Sequence, residues 1–501
     1  MSTIDQDRAR LLRTRRDFFR TIGGAALGSA AISTTLRDFR LINSALAQGP
    51  GGAAFSDYKA LVCIFLGGGN DSNNLVIPRG AGHANYAAIR QNLTIPETAL
   101  EALTPLNNDG NEYGLHPSCP QLGDLFHEGK LALLFNVGPL LFPTNRAQYR
   151  GKQVALPPQL FSHSDMVTHW QTSLPDQPPR TGWGGRVADL LHPYQNQLLA
   201  DPVERAQISL CTSIAGANTF EVGASVQQYH VSTSGAVTLS GAAAGSAREN
   251  VVRSIANLPQ TNLQADAFGN VIENAIAAGS ILNQAIAPTG NYPWTKPFPD
   301  ISLANQLKMV ARIIAGRKAH KIKRQIFFVT ASGYDTHTAQ VGNTANPGDP
   351  LFGSHANLLG QLSQSIAAFQ SAIEQLAADP VLGDATLANS VVGFTASDFG
   401  RTFPSNGQGS DHGWGGHHIV FGGNGNPTSG AVAGQRTYGR FPVHQVNGPD
   451  DTSTGRWIPS TSVDEYSATL AKWFGVDASN LSVIFPNLGR FAVPDLGFMR
   501  A

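Results

Sequence analysis

Four short stretches of this chain carry acidic and histidine side chains of the kinds that hold metals or move protons. Asp71 closes the motif FLGGGND at 65–71. Asp335 and His337 lie in GYDTH at 333–337. Asp398 and Arg401 lie in TASDFGR at 395–401. Asp411, His412, His417 and His418 lie in SDHGWGGHH at 410–418. Aspartate and histidine together suit Zn²⁺, Mn²⁺ or iron, and carboxylates alone suit Mg²⁺ or Ca²⁺. A fifth stretch reads Ser162-His163-Ser164-Asp165, with His169 following. Met166–Trp170 has a helical pattern, so Ser162 falls near a helix N-terminus, where a developing alkoxide or a bound anion is stabilised. A serine nucleophile also needs a base or a metal beside it. Each residue alone has a plainer role: an Asp after a strand closes a turn, a Ser at a helix start caps it, and Arg401 can form a surface ion pair. Acidic and histidine residues in three successive strand-end loops favour a metal or polar catalytic site.

The elements that must position these residues alternate between strand and helix. KALVCIFL at 59–66 is a continuous apolar run ending in glycines, the pattern of a buried parallel strand. Helix is expected over Pro120–Glu128, then strand over Leu131–Val137. Further strands are expected at Gln325–Thr330, Ser390–Thr395 and His418–Phe421. A long helix over Ser354–Asp379 places Leu358, Leu359, Leu362, Ile366, Phe369, Ile373 and Leu376 on one face, and a late helix starts at Ser462. This rhythm predicts an α/β fold with a mostly parallel central sheet and helices on both faces, in which function gathers at the carboxyl ends of the strands. Residues 213–300, rich in Ser, Thr, Gly and Ala, read as an inserted cap or subdomain.

Lys plus Arg and Asp plus Glu both number 35 in 501 residues, and this balance argues against a nucleic-acid binder. The three cysteines are an odd number with no C-x-x-C spacing, so neither a disulfide nor thiol chemistry is assigned. TRRDFFR at 14–20 matches the twin-arginine export pattern. An apolar stretch of about 16 residues follows, too short for a stable membrane span of about 20. Ala45-Leu46-Ala47 then offers a cleavage site. Residues 1–47 are therefore expected to be a twin-arginine signal peptide and 48–501 the exported domain. The translocase would be a transient partner and the destination the periplasm or the exterior.

The quoted motifs, together with SVDEYSATLAKWFGV at 462–476, resemble the bacterial, twin-arginine-exported family catalogued as domain of unknown function 1501. That family is similar to the alkaline phosphatase and sulfatase superfamily. The resemblance implies an alkaline phosphatase-like α/β sandwich with one or two divalent metal ions (Zn, Mn, Mg or Ca) and an oxygen nucleophile. It implies an exported hydrolase of sulfate or phosphate esters, with an ester or polysaccharide-type substrate.

Carried over motif by motif, it implies Asp71, Asp335, His337, Asp398, Asp411 and His412 as metal ligands or their orienters. His417 or His418 is an alternative to His412. Ser162 is the implied nucleophile, and Arg401 a contact to the ester oxygens. Phe399 stands where the superfamily has a histidine, and no C/S-x-P-x-R nucleophile signature is present. These departures keep open a binding or assembly protein without chemistry, or Asp-rich loops holding structural Ca²⁺.

Overall fold

Residues 55–194, 208–236, 245–259 and 263–500 are described by the computed structural model of the chain, and the expected signal peptide lies outside them. In chain order the strands are β1 (Lys59–Gly67), β2 (Val76–Pro78), β3 (Glu101–Leu103), β4 (Tyr113–Leu115), β5 (Leu131–Gly138), β6 (Cys211–Ser213), β7 (Tyr229–Ser232), β8 (Gly235–Ala236), β9 (Arg324–Ser332), β10 (Val391–Ser397), β11 (Gly416–Gly422), β12 (Arg436–Tyr438) and β13 (Thr461–Ser462). β2, β4 and β3 form a small antiparallel sheet. The main sheet is ordered β12-β5-β11-β10-β1-β9-β6-β7-β8, with β13 also pairing β5.

The centre of the main sheet is parallel, as the unbroken apolar runs require. β1 pairs in parallel with β10 on one side and β9 on the other, and β9 pairs in parallel with β6. The sheet is therefore mixed but largely parallel, in an α/β arrangement. Alternation along β1 separates two layers. Ala60, Val62, Ile64 and Leu66 join one core with Leu307, Val310 and Ile314 of the helix Ser302–Ala315. Leu359, Leu362, Ile366 and Phe369 of the helix Ser354–Ala378 complete it. On the opposite side Cys63 and Phe65 lie among Trp170, Trp183, Phe220 and Phe394.

The expected strands at 59–66, 131–137 and 325–330 are present, the first two extended by one residue and the third by three. Ser390 belongs to a 3₁₀ turn, so that strand begins at Val391. The late helix runs Val463–Phe474 and starts with a capping box, in which Ser462 and Glu465 each satisfy the other's backbone N–H. The stretch 213–300 contributes β7 and β8 at the sheet edge, and the helix Leu263–Ile286 places Leu282 and Ile286 in the main core. Among the described residues no helix is long and apolar enough to cross a membrane. Cys63, Cys119 and Cys211 are buried and free.

β11 does not follow the parallel pattern. It runs antiparallel to both β10 and β5. Its N-terminal end therefore lies beside the C-terminal ends of its neighbours, which carries the SDHGWG loop to the same edge of the sheet.

Candidate functional site

Strand register aligns the loops. Gly67 of β1 lies opposite Ser332 of β9, and Leu66 lies opposite Ser397 of β10. The loops after these strands therefore leave the sheet side by side, and the loop before β11 arrives over them. Glycine permits the contact at two points. Gly68 has φ +114°, and a Cβ there would sit 2.4 Å from the backbone N of Asp335. Gly69 has φ +85°, and its Cβ would strike the Phe399 ring at 2.4 Å.

Above this crossing lie three histidines and one carboxylate. A ligand atom from each of His163, Asp335 and His412 falls within 4.8 Å of the others. His337 adjoins them, with its Nε2 3.1 Å from Asp335 Oδ1 and 2.9 Å from His412 Nε2. Each histidine is held by its other nitrogen. His337 Nδ1 is 2.8 Å from Asp411 Oδ1, His163 Nδ1 is 2.7 Å from Asp398 Oδ2, and His412 Nδ1 is 2.8 Å from the Phe161 carbonyl. A carboxylate or a carbonyl only accepts, so each Nδ1 must donate. In a neutral ring that leaves a lone pair on Nε2. The Nε2 atoms of His337 and His412 thus face each other as two acceptors at hydrogen-bonding distance, with a carboxylate oxygen alongside. Such a contact is stable only with a cation or a proton between the rings. Histidines oriented through Nδ1 by a carboxylate or carbonyl are characteristic of metal ligands.

Electrostatics keep the two exposed carboxylates ionised and make His412 less basic. Burial raises the Asp335 carboxyl, but Arg401, His337 and His163 outweigh it and hold the group below the usual carboxylate range. Asp411 is likewise held low: burial raises it, and Asn406 and His337 more than compensate. Burial pulls His412 down, helped by His163, Arg401 and His337 and opposed by the Phe161 carbonyl. The cluster is accessible, with the Asp335 side chain 45% exposed and His412 24% exposed. Phe399 lies beneath, with ring centroids 4.8 Å from His163 and 4.6 Å from His412.

A second carboxylate at this edge is in a different state. Asp71 is fully buried and ion-paired with Arg90, which is equally buried. The same Oδ2 accepts from the Gln340 amide, and Oδ1 accepts from Asn73. Burial raises the Asp71 carboxyl, but Arg90 outweighs it and keeps the group ionised. Gln340 also accepts from Ser410 Oγ at 2.7 Å, tying this layer to the loop that carries His412.

Most of the residues singled out in the sequence reach this edge, in different roles. Asp335, His337 and His412 adjoin one another with ring nitrogens and carboxylate turned inward. Asp398 and Asp411 orient histidines. Asp71 lies apart, in its pair with Arg90. Arg401 is buried, donating to Asp335 at 2.6 Å, to the Gly68 carbonyl at 3.1 Å and to the Ser410 carbonyl, so it is neither a surface ion pair nor free to meet a ligand. Ser162 is the N-cap residue of the helix His163–Thr172, and its hydroxyl donates to Asp165 Oδ2 at 2.6 Å. His417 and His418 are buried on β11, one against Phe441 at 4.8 Å and the other against Trp170 at 4.7 Å, away from the cluster. Sequence reasoning assigned no role to His163, Arg90, Gln340 or Phe161. For His163 the signal was present in the dense SHSD stretch. For the other three nothing distinguished them from ordinary helix and loop residues.

Residues 58–483 match the model of a family described as a protein of unknown function, DUF1501. No curated protein matches the chain.

Proposed function

This chain belongs to the DUF1501 family, and we propose that it is an exported, metal-dependent hydrolase of sulfate or phosphate esters. The observation that carries this reading is the facing pair of Nε2 lone pairs on His337 and His412, with Asp335 beside them and His163 across from them. An imidazole-rich set of this kind suits Zn²⁺, Mn²⁺ or iron better than Mg²⁺ or Ca²⁺, which take all-oxygen sites. The reading includes an alkaline phosphatase-like sandwich and export through the Arg15-Arg16 signal. It holds one ion rather than two, because the oxygens of Asp71 are already taken by Arg90, Gln340 and Asn73.

A divalent ion at this position would draw charge from the ester oxygens during displacement. The chain's own groups do the rest. Asp398, Asp411 and the Phe161 carbonyl orient the three imidazoles through Nδ1, and Arg401 fixes Asp335. Ser162 is the nucleophile of this scheme. Its Oγ forms the new bond to sulfur or phosphorus as the bond to the leaving oxygen breaks. Asp165 Oδ2 takes the hydroxyl proton, and solvent water protonates the leaving alkoxide. The hydroxide so formed then cleaves the seryl ester, and Asp165 returns its proton to Ser162 Oγ, which restores the serine.

Metal analysis of the purified mature protein, with turnover of a panel of sulfate and phosphate esters, tests this reading. About one equivalent of Zn or Mn, and hydrolysis abolished by Ser162→Ala at unchanged metal content, is the expected result. The absence of ring-bound metal would sink it. Metal uptake without any turnover would instead support a binding protein that keeps the fold, a reading favoured by the lack of a C/S-x-P-x-R signature around Ser162.

A further inference from the structure

Three arginines stand around the cluster, and two of them are buried with their terminal nitrogens engaged. Arg90 directs its nitrogens to Asp71, Asn74 and the carbonyls of Thr402 and Phe403. Arg401 directs its own to Gly68, Asp335 and Ser410. Arg456 differs. Its Nε donates to the backbone carbonyl of His412 at 2.7 Å, and its guanidinium carbon lies 4.2 Å from the centroid of the Phe161 ring. Its two terminal nitrogens have no partner among the described residues, and the residue is only half-buried.

The loop that carries Arg456 is built with care. Asp451 is fully buried, and its Oδ1 accepts from the backbone N–H groups of Ser453, Gly455 and Arg456 while Oδ2 accepts from Asn447. Gly455 has φ +77°, and a Cβ there would sit 2.1 Å from Pro404. Phe161 is held as firmly. It has φ +74°, a region that bulky residues rarely enter, and its carbonyl is the one that orients His412. Arg456 therefore touches both partners of the hydrogen bond that sets the His412 ring.

Charge gives this arginine a role. The carboxylates of Asp335, Asp398 and Asp411 face one buried guanidinium, that of Arg401, so the cluster alone repels an anionic ester. We propose that Arg456 receives the oxyanion head group of the substrate, its two free nitrogens donating to adjacent non-bridging oxygens of a sulfate or phosphate. A planar guanidinium suits that bidentate geometry, and its stacking on Phe161 fixes the plane in advance. This inference rests on the hydrolase reading and adds a recognition residue that neither sequence motif nor family description supplies.

The test is calorimetric titration of inorganic sulfate and phosphate into the full mature protein, with and without Zn²⁺, for the wild type, Arg456→Lys and Arg456→Gln. Metal content and thermal midpoint are recorded for each. Arg456→Gln should weaken the better-bound anion by about tenfold or more, the loss of a charge-assisted pair. Metal content and midpoint should stay those of the wild type, and Arg456→Lys should fall between. Anion affinity unchanged in Arg456→Gln, or no anion binding by the wild type, would overturn the proposal. So would a parallel loss of Zn²⁺ affinity in both variants, since Arg456 would then act only through the His412 backbone. A wild type that takes up no Zn²⁺ sinks the hydrolase reading instead, and the metal-free titrations still decide the role of Arg456.

Discussion

Asp71 and Asp335 follow adjacent parallel strands at one edge of one sheet, yet they inhabit opposite environments. Asp71 lies at 0% exposure against a cation from its own chain, Arg90, with every oxygen engaged. Asp335 is 45% exposed and has one arginine, Arg401, on one side and the Nε2 atoms of three imidazoles on the other. The first layer is electrically closed and the second is open. The difference teaches that residue type and strand-end position do not make a ligand. What decides is whether the fold supplies its own counter-charge. A carboxylate already neutralised by a buried guanidinium is a structural element, and one that stands half-exposed among imidazoles keeps an oxygen open to solvent.

The contrast breaks most visibly if the closed pair is opened. Arg90→Leu leaves Asp71 buried without its partner and should cost about 3–5 kcal/mol of folding stability, read from urea unfolding of the wild type and the variant. Loss of a few tenths only would mean that Asp71 finds another counter-charge and that the layer is not closed. Next in size is the open layer. Asp335→Asn should remove most cation binding, measured by dialysis against Zn²⁺, and leave the unfolding midpoint within a few degrees of the wild type. Smaller again is the effect of the orienting groups. Asp411→Asn and Asp398→Asn should each weaken Zn²⁺ by about 10–100-fold, the usual consequence of removing a histidine's supporting carboxylate.

The smallest effect is one of pH. His355 lies under Asp71, with its Nε2 3.1 Å from Asn70 Oδ1. Burial pulls its imidazole down to about 4, against the opposing pull of Asp71. A base lowered in this way is neutral when folded and takes up a proton on unfolding. Its contribution is therefore complete above the ordinary histidine range and is lost as pH falls from about 6.5 towards 4. Replacing it by Gln should reduce the pH slope of stability in that window by roughly one proton. An unchanged slope would assign the acid sensitivity to other buried histidines, among them His116, His417 and His418, each lowered by burial to about 3.

Much of the scaffold was legible in the sequence. The apolar runs at 59–66 and 325–330 could only be buried parallel strands, and glycines at their ends marked where loops must cross. Asp335, His337 and His412 were legible because each follows or precedes such a strand. The roles of the others were not. His163 meets Asp398 across 235 residues, a pairing that no local pattern encodes. Phe399 reads as the loss of a histidine, whereas His163 brings an imidazole to Asp398 from another segment and uses the phenyl ring as its floor. His417 or His418 reads as an alternative to His412 by type, but both are buried on their strand against aromatic rings, away from the cluster. Arg90 is one basic residue at the end of a helix, and only the tertiary structure shows that it is buried.

One consequence follows from the reversal of β11. His412 is locked by a carbonyl 251 residues away, and His163 by a carboxylate 235 residues away. Contacts of such long sequence separation form only after large loops have closed. The inward-turned imidazoles therefore exist in no fragment and in no early stage of chain collapse. They come into being when the reversed strand slots between β10 and β5, so the state of these rings is a readout of completed topology. A spectroscopic signal from them would time the last step of folding rather than the first.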